Sequence, residues 1–189
     1  MKRIIGAFTF RKEVYAEVER DIEFTTTAWV LVAVVSLISQ LGRLPTYGFE
    51  NIGSWLISSL VTVVFAVGGF ALGAFIMSWA GKQFFKAEVD FGEMVRVLGL
   101  AYVWNIVGVI GILGFIPVLV CILSPITIVA LIAGFVAWLF AAKEALDLDW
   151  VPTIITVVIG WVISFIVGAI AGFILTALGI GAVAIAGSM

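Results

Sequence analysis

Apolar and charged positions along this chain segregate on a scale of tens of residues. Nineteen consecutive residues lack a charge between Glu23 and Arg43, thirty-one between Glu50 and Lys82, forty-six between Arg96 and Lys143, and forty after Asp149. A charge at the centre of a membrane helix costs about 2.5 to 3.5 kcal/mol, so these windows are where hydrocarbon can surround the chain. About twenty residues, rising 1.5 Å each, cross a ~30 Å hydrocarbon core. The first two windows each hold one helix. The third is long enough for two, and Gly114, Pro117, Ser124 and Pro125 interrupt its middle, which predicts a helical hairpin. Ser124 before Pro125 has the chemistry of an N-cap and a first helical residue, starting the fourth span at Pro125. The alternative start lies near Val118, with Pro125 as a kink. The last window opens at Pro152, stays apolar to Leu178 and then turns glycine-rich.

The predicted architecture is all-α. A short amphipathic segment covers 1–23, five membrane-spanning helices lie within 24–178 (about 24–41, 52–79, 96–114, 118–142 and 152–178), and a tail covers 179–189. Basic residues test this topology independently. Lys2, Arg3, Arg11, Lys12, Arg20, Lys82, Lys86, Arg96 and Lys143 fall on one side and Arg43 alone on the other. That nine-to-one split predicts a cytoplasmic amino terminus and an external carboxyl terminus. In residues 8–23, Phe10, Val14, Val18 and Ile22 recur every four positions among charges, predicting one amphipathic helix. Its apolar stripe has two alternative resting places, the lipid headgroup layer or the protein's own loops.

Composition narrows the classes further. Of 189 residues, 63% are apolar and 12% charged, with mean hydropathy +1.27. Soluble domains are roughly 45–50% apolar and ~25% charged, so a water-facing globule is excluded. The net charge of -2 offers no basic excess for nucleic acid. Histidine is absent and Cys121 is the lone cysteine, which removes zinc sites and intrachain disulfides. No phosphate-binding loop, nucleophile elbow or metalloprotease motif occurs, so no cofactor, metal or catalytic residue is assigned.

Three segments carry a family resemblance: FTFRKEVYAEVERD (8–21) before the first span, FGEMVRVLGLAYVW (91–104) leading into the third, and AWLFAAKEALDLDW (137–150) leaving the fourth. In this order they resemble the Yip1 domain proteins, prokaryotic members in particular. The resemblance covers nearly the whole chain and implies five spans with a cytoplasmic amino terminus. Eukaryotic members are associated with Rab-type GTPases and vesicle traffic, and carry an Asp-Leu-Tyr-Gly-Pro motif that this chain lacks. What the resemblance implies here is therefore fold, topology and, by analogy, a membrane-organising role in a prokaryotic cell membrane.

Three groups of residues are candidates for function. Asp21, Asp90, Glu93, Arg96, Lys143, Glu144 and Asp147, with Glu19 and Asp149 nearby, form a candidate cytoplasmic docking face. Within it the spacing suggests charge pairing of Glu93 with Arg96, or of Arg96 with Asp147 or Asp149. Asn105 is the most polar residue inside a span, and its simplest role is a hydrogen bond to a neighbouring helix. Gly160, Ser164, Gly168 and Gly172 on the fifth helix, and Gly69 and Gly73 on the second, form small-residue ridges for helix packing, within one bundle or between copies. Two functions compete. One is a non-enzymatic scaffold or adaptor in membrane organisation or trafficking, with lipids, other membrane proteins or its own copies as partners. The other is a small-solute or lipid transporter or channel, with Asn105, Thr127 and Ser164 along the passage.

Overall fold

Hydrocarbon offers no partner to a backbone N–H or C=O, so an apolar chain surrounded by lipid satisfies itself as helix. The computed structural model describes residues 2–177 and is all-α; the tail expected at 179–189 lies outside them. Two short helices, α1 (Lys2–Phe8) and α2 (Lys12–Arg20), precede α3 (Phe24–Gln40). A 3-10 turn (Leu41–Arg43) and the one-turn α4 (Leu44–Tyr47) lead to α5 (Ile52–Phe85). Helix α6 (Phe91–Ala101) continues as a 3-10 stretch (Tyr102–Phe115), followed by α7 (Pro117–Leu146) and α8 (Trp150–Ala177). The segments Phe24–Tyr47, Phe49–Phe85, Phe91–Phe115 and Cys121–Leu146 are long and apolar enough to cross a membrane, and α8 adds the apolar stretch Trp150–Ile163. This is a multi-pass membrane protein.

Helix α6 is the axis of the bundle, buried at every position from Met94 to Ala101. It lies parallel to α3, because Gly99 rests on Ala28, Gly108 on Ser39 and Gly111 on Gly42. Helix α7 runs antiparallel to this span, with Gly134 against Trp104, and α8 runs antiparallel to α5, with Gly81 beside Thr156 and Gly160 beside Met77. These pairings gather α1, α2, the starts of α3, α6 and α8 and the ends of α5 and α7 at one end. That end holds every basic residue but Arg43 and every acidic residue but Glu50, nine against eleven.

The 3-10 stretch has a sequence cause. A 3-10 helix turns every three residues, so positions i and i+3 eclipse. Tyr102, Asn105, Gly108, Gly111 and Gly114 then form one row, while Val103, Ile106, Val109, Ile112 and Phe115 form another. The glycine row meets the turn after α3 so closely that a Cβ on Gly42 would fall on the Gly108 carbonyl oxygen. In an α-helix, steps of three residues drift around the axis and would replace these glycines with valine and isoleucine at the contact.

One open choice is decided and one expectation is corrected. Of the two starts considered for the fourth span, the one near Val118 agrees with the structure: α7 starts with Pro117 at its first position, and Pro125 sits inside it. Pro125 has no N–H for the Cys121 carbonyl four residues back, and the Ser124 hydroxyl takes that carbonyl over at 3.2 Å. Ser124 therefore repairs the helix rather than capping it. Residues 8–23 are likewise not one helix: Phe10 adopts φ +54°, and the chain reverses there between α1 and α2. The buried side chains of α2 are Tyr15 and Val18, packed on α6 and α7, whereas Ile22 is 78% exposed. Of the two resting places, the chain's own bundle wins.

The small-residue ridges also divide. A Cβ on Gly160 would reach 2.5 Å from Met77 Cγ, so Gly160 serves packing inside the bundle, and Gly73 is buried on α5. Among the described residues Gly69 has nothing within 4 Å of its Cβ position, and it lines a groove with Trp138 and Trp161. The surroundings of Ser164, Gly168 and Gly172 lie outside the described residues.

Candidate functional site

The α1–α2 hairpin is held at the charged end of the bundle by buried Gly6 and Ala7 of α1 and Tyr15 and Val18 of α2. Gly6 is required because Val14 Cγ2 covers the place of a Cβ. The Trp104 indole N–H donates to the Ala7 carbonyl at 3.3 Å, with Phe8 edge-on at 5.0 Å and Phe10 stacked at 5.5 Å. The Tyr15 hydroxyl donates to the same carbonyl at 3.4 Å, and burial pushes this phenol up to about 12. Arg3 ties α1 to α2 through Glu17 and Asp21, each at 2.7 Å.

Arg96 is the central charge of the site. It projects from α6, is 6% exposed, and needs partners for a buried guanidinium. The end of α2 supplies one. Arg96 Nε donates to the Glu19 carbonyl at 2.8 Å, Nη2 donates to the same oxygen, and Nη1 reaches Thr25 Oγ1 at 3.4 Å. The last carbonyls of a helix lack intrahelical donors and carry its negative dipole end, so a cation is favoured there. The expected pairing with Glu93 or with Asp147 or Asp149 is replaced by this backbone contact. Glu93 is engaged elsewhere: its carboxylate accepts from the Asp90 N–H at 2.6 Å, while the Asp90 carboxylate accepts from Gly92 N–H at 3.1 Å. Together they form a capping box that starts α6.

Around the same point three helices converge their acids. Burial, then Asp147, Glu93 and Glu144, push the Glu19 carboxyl up to about 6, against the weaker opposing pull of Arg20. Asp147 closes α7 in a left-handed turn at φ +49°. Lys143 turns away, donating to the Leu148 carbonyl at 3.0 Å and lying 5.5 Å from the Trp150 ring centre. Asp21 also stands apart, where its hydrogen bond to Arg3 lowers its pKa. The structure thus brings Glu93, Arg96, Glu144 and Asp147 around Glu19, and leaves Asp21, Asp90 and Lys143 to local duties. Among the described residues, no group of three Asp, Glu, Cys or His converges to hold a metal ion.

Asn105 lies on the exposed side of the 3-10 stretch, and its amide donates to the Tyr102 carbonyl of its own turn at 3.2 Å rather than to another helix. It lines a cavity of about 560 Å³ that also includes Thr127 of α7. The site residues that sequence reasoning did not single out are Trp104, Tyr15 and Arg3. The period of three through Asn105, Gly108, Gly111 and Gly114 was the signal that would have located the groove wall.

No curated protein and no solved structure matches the chain. The family model of the Yip1 domain matches residues 5–172, a stretch that includes the α1–α2 turn, Arg96, the 3-10 span and most of α8, and the chain belongs to the Yip1 domain family.

Proposed function

We propose that this chain is a non-enzymatic membrane scaffold or adaptor that presents its charged end to a partner in the cytoplasm. The observation that carries this reading is the Arg96 contact with the Glu19 carbonyl, which makes α1–α2 part of the folded bundle rather than a loose leader. A charged face built on helix ends is a preorganised docking surface, and preorganisation lowers the entropy lost on binding. The face has two more acids than bases by the count above, and among the described residues only Arg3 forms ion pairs. Its carboxylates around Glu19 fit a partner that brings a basic patch. The nine-to-one placement of basic residues supports the cytoplasmic orientation.

The test is photo-crosslinking from residue positions 93, 144 and 147 in native membranes, followed by identification of the captured neighbours. The reading expects one recurrent partner whose capture falls when Glu144 and Asp147 are changed to lysine. Capture of unrelated proteins, unchanged by charge reversal, would refute it. The transport reading keeps one supporting observation, the shared cavity of Asn105 and Thr127; the surroundings of Ser164 lie outside the described residues.

A further inference from the structure

The cavity at Asn105 is a groove along the 3-10 stretch, closed towards the charged end by α6, which is buried at every position from Met94 to Ala101. It lies between the 3-10 stretch and α7, with Trp161 of α8 at its rim, and a second cavity of about 570 Å³ adjoins it at Thr127. None of its lining residues carries a charge.

Depth follows from helix geometry. From Arg96 to Ala101 the chain rises about 7.5 Å as α-helix, and from there to Asn105 about 8 Å as 3-10 helix. Asn105 therefore sits about 15 Å below the level of Arg96, near the middle of a ~30 Å hydrocarbon core. One amide N–H is used on Tyr102, leaving the second N–H, and among the described residues Oδ1 accepts from no donor. Thr127 donates to the Leu123 carbonyl at 3.1 Å, which leaves its oxygen free to accept. Lipid tails offer these groups no hydrogen-bonding partner, so a polar atom entering from the membrane would meet donors and acceptors that hydrocarbon leaves unsatisfied.

The walls add a shape. Trp138 and Trp161 lie 5.9 Å apart and Phe135 and Trp161 5.0 Å apart, and Tyr102 and Trp104 complete an aromatic lining. A phospholipid headgroup is excluded from the site, since a charge at mid-depth costs about 2.5 to 3.5 kcal/mol. What fits is neutral, flat and hydrogen-bonding, with an apolar tail. We propose that the groove binds an uncharged, membrane-dissolved lipid whose ring, bearing carbonyl or hydroxyl groups, stacks among the aromatic side chains and hydrogen-bonds to Asn105.

The experiment titrates decylubiquinone, which quenches tryptophan fluorescence, into the full-length protein in zwitterionic nanodiscs. Saturable quenching is expected, with the apparent Kd raised about five- to tenfold in Asn105→Leu, the worth of one hydrogen bond. Thr127→Val should weaken binding to a lesser degree, and supplies the test if Asn105→Leu does not fold. Gly53→Leu, at an open position of α5 that lines no part of the groove, should leave the Kd unchanged. Quenching that rises linearly with probe, or saturates identically in Asn105→Leu and Thr127→Val, overturns the proposal. Equal competition by phosphatidylcholine brominated on its acyl chains would give the groove to an ordinary lipid tail and overturn it as well.

Discussion

Replacing Arg96 by methionine keeps the volume of the buried stem and removes the donors that hold the end of α2. The Glu19 carbonyl loses two N–H bonds from a charged partner, one of them at 2.8 Å. Hydrogen bonds to a charged group contribute about 1.5–3 kcal/mol, and a buried acceptor left without a donor costs about 1–3 kcal/mol. Removing the buried guanidinium recovers part of this, because its own desolvation penalty disappears. A net loss of about 2 kcal/mol in the docking of α2 is expected, or about thirtyfold in its opening equilibrium. The assay is hydrogen exchange of the amides of residues 12–20 in nanodiscs, with α5 and α7 as internal references. Arg96→Met should raise exchange of α2 by about that factor and leave the long helices protected. Arg96→Lys keeps the charge but loses the planar fork, and should fall between the two. Unchanged protection of α2 in Arg96→Met would refute the role assigned to this contact. So would equal deprotection of every helix.

Three further outcomes follow from the same geometry. Glu19 has a docked pKa near 6, raised chiefly by burial and then by Asp147, Glu93 and Glu144, so α2 docks best below about pH 4.5 and loses stability as pH rises through about 6. Solvent screening limits the effect to about 1 kcal/mol, and Glu19→Gln should abolish the pH dependence of α2 exchange, after correction for intrinsic rates, while raising protection at pH 7. Gly42→Ala drives a Cβ into the Gly108 carbonyl and should cost about 1–3 kcal/mol in thermal or denaturant unfolding, whereas Gly69→Ala, with open space around it, should be neutral or gain up to about 1 kcal/mol from helix propensity. In a Cys121→Ser background, single cysteines at positions 12 and 46 should react with a membrane-impermeant thiol reagent from opposite sides of sealed vesicles; labelling from one side alone would refute the crossing of the membrane by α3.

Much of the fold was legible because a membrane leaves few choices. Long charge-free windows must become helices, since every backbone polar group needs a partner inside its own segment, and this holds without reference to neighbours. The same rule pointed to the four long apolar segments and to the apolar stretch Trp150–Ile163, and separated Arg43 from the nine other basic residues. It left two starts open for α7, near Val118 and at Pro125, and the structure has the first. Pro125 and Ser124 have the chemistry of a helix start, and only the hydroxyl turned back to the Cys121 carbonyl shows that the helix passes through them.

The site was less legible because its decisive contacts join residues far apart in the chain. Arg96 and Glu93 are three residues apart and of opposite charge, yet Arg96 bonds to a backbone carbonyl 77 positions earlier and Glu93 to its own helix start. Local spacing fixes which side chains can meet on one helix, but not which orphan carbonyl a folded neighbour will present. Asn105 shows the complementary case. Its polarity and place in a span were evident from composition, but its depth, its open flank and its aromatic surroundings exist only once α7 and α8 pack beside a span wound three residues to the turn. Hydropathy is a property of a segment and survives in isolation; a groove is a property of gaps between segments, and only tertiary packing creates it.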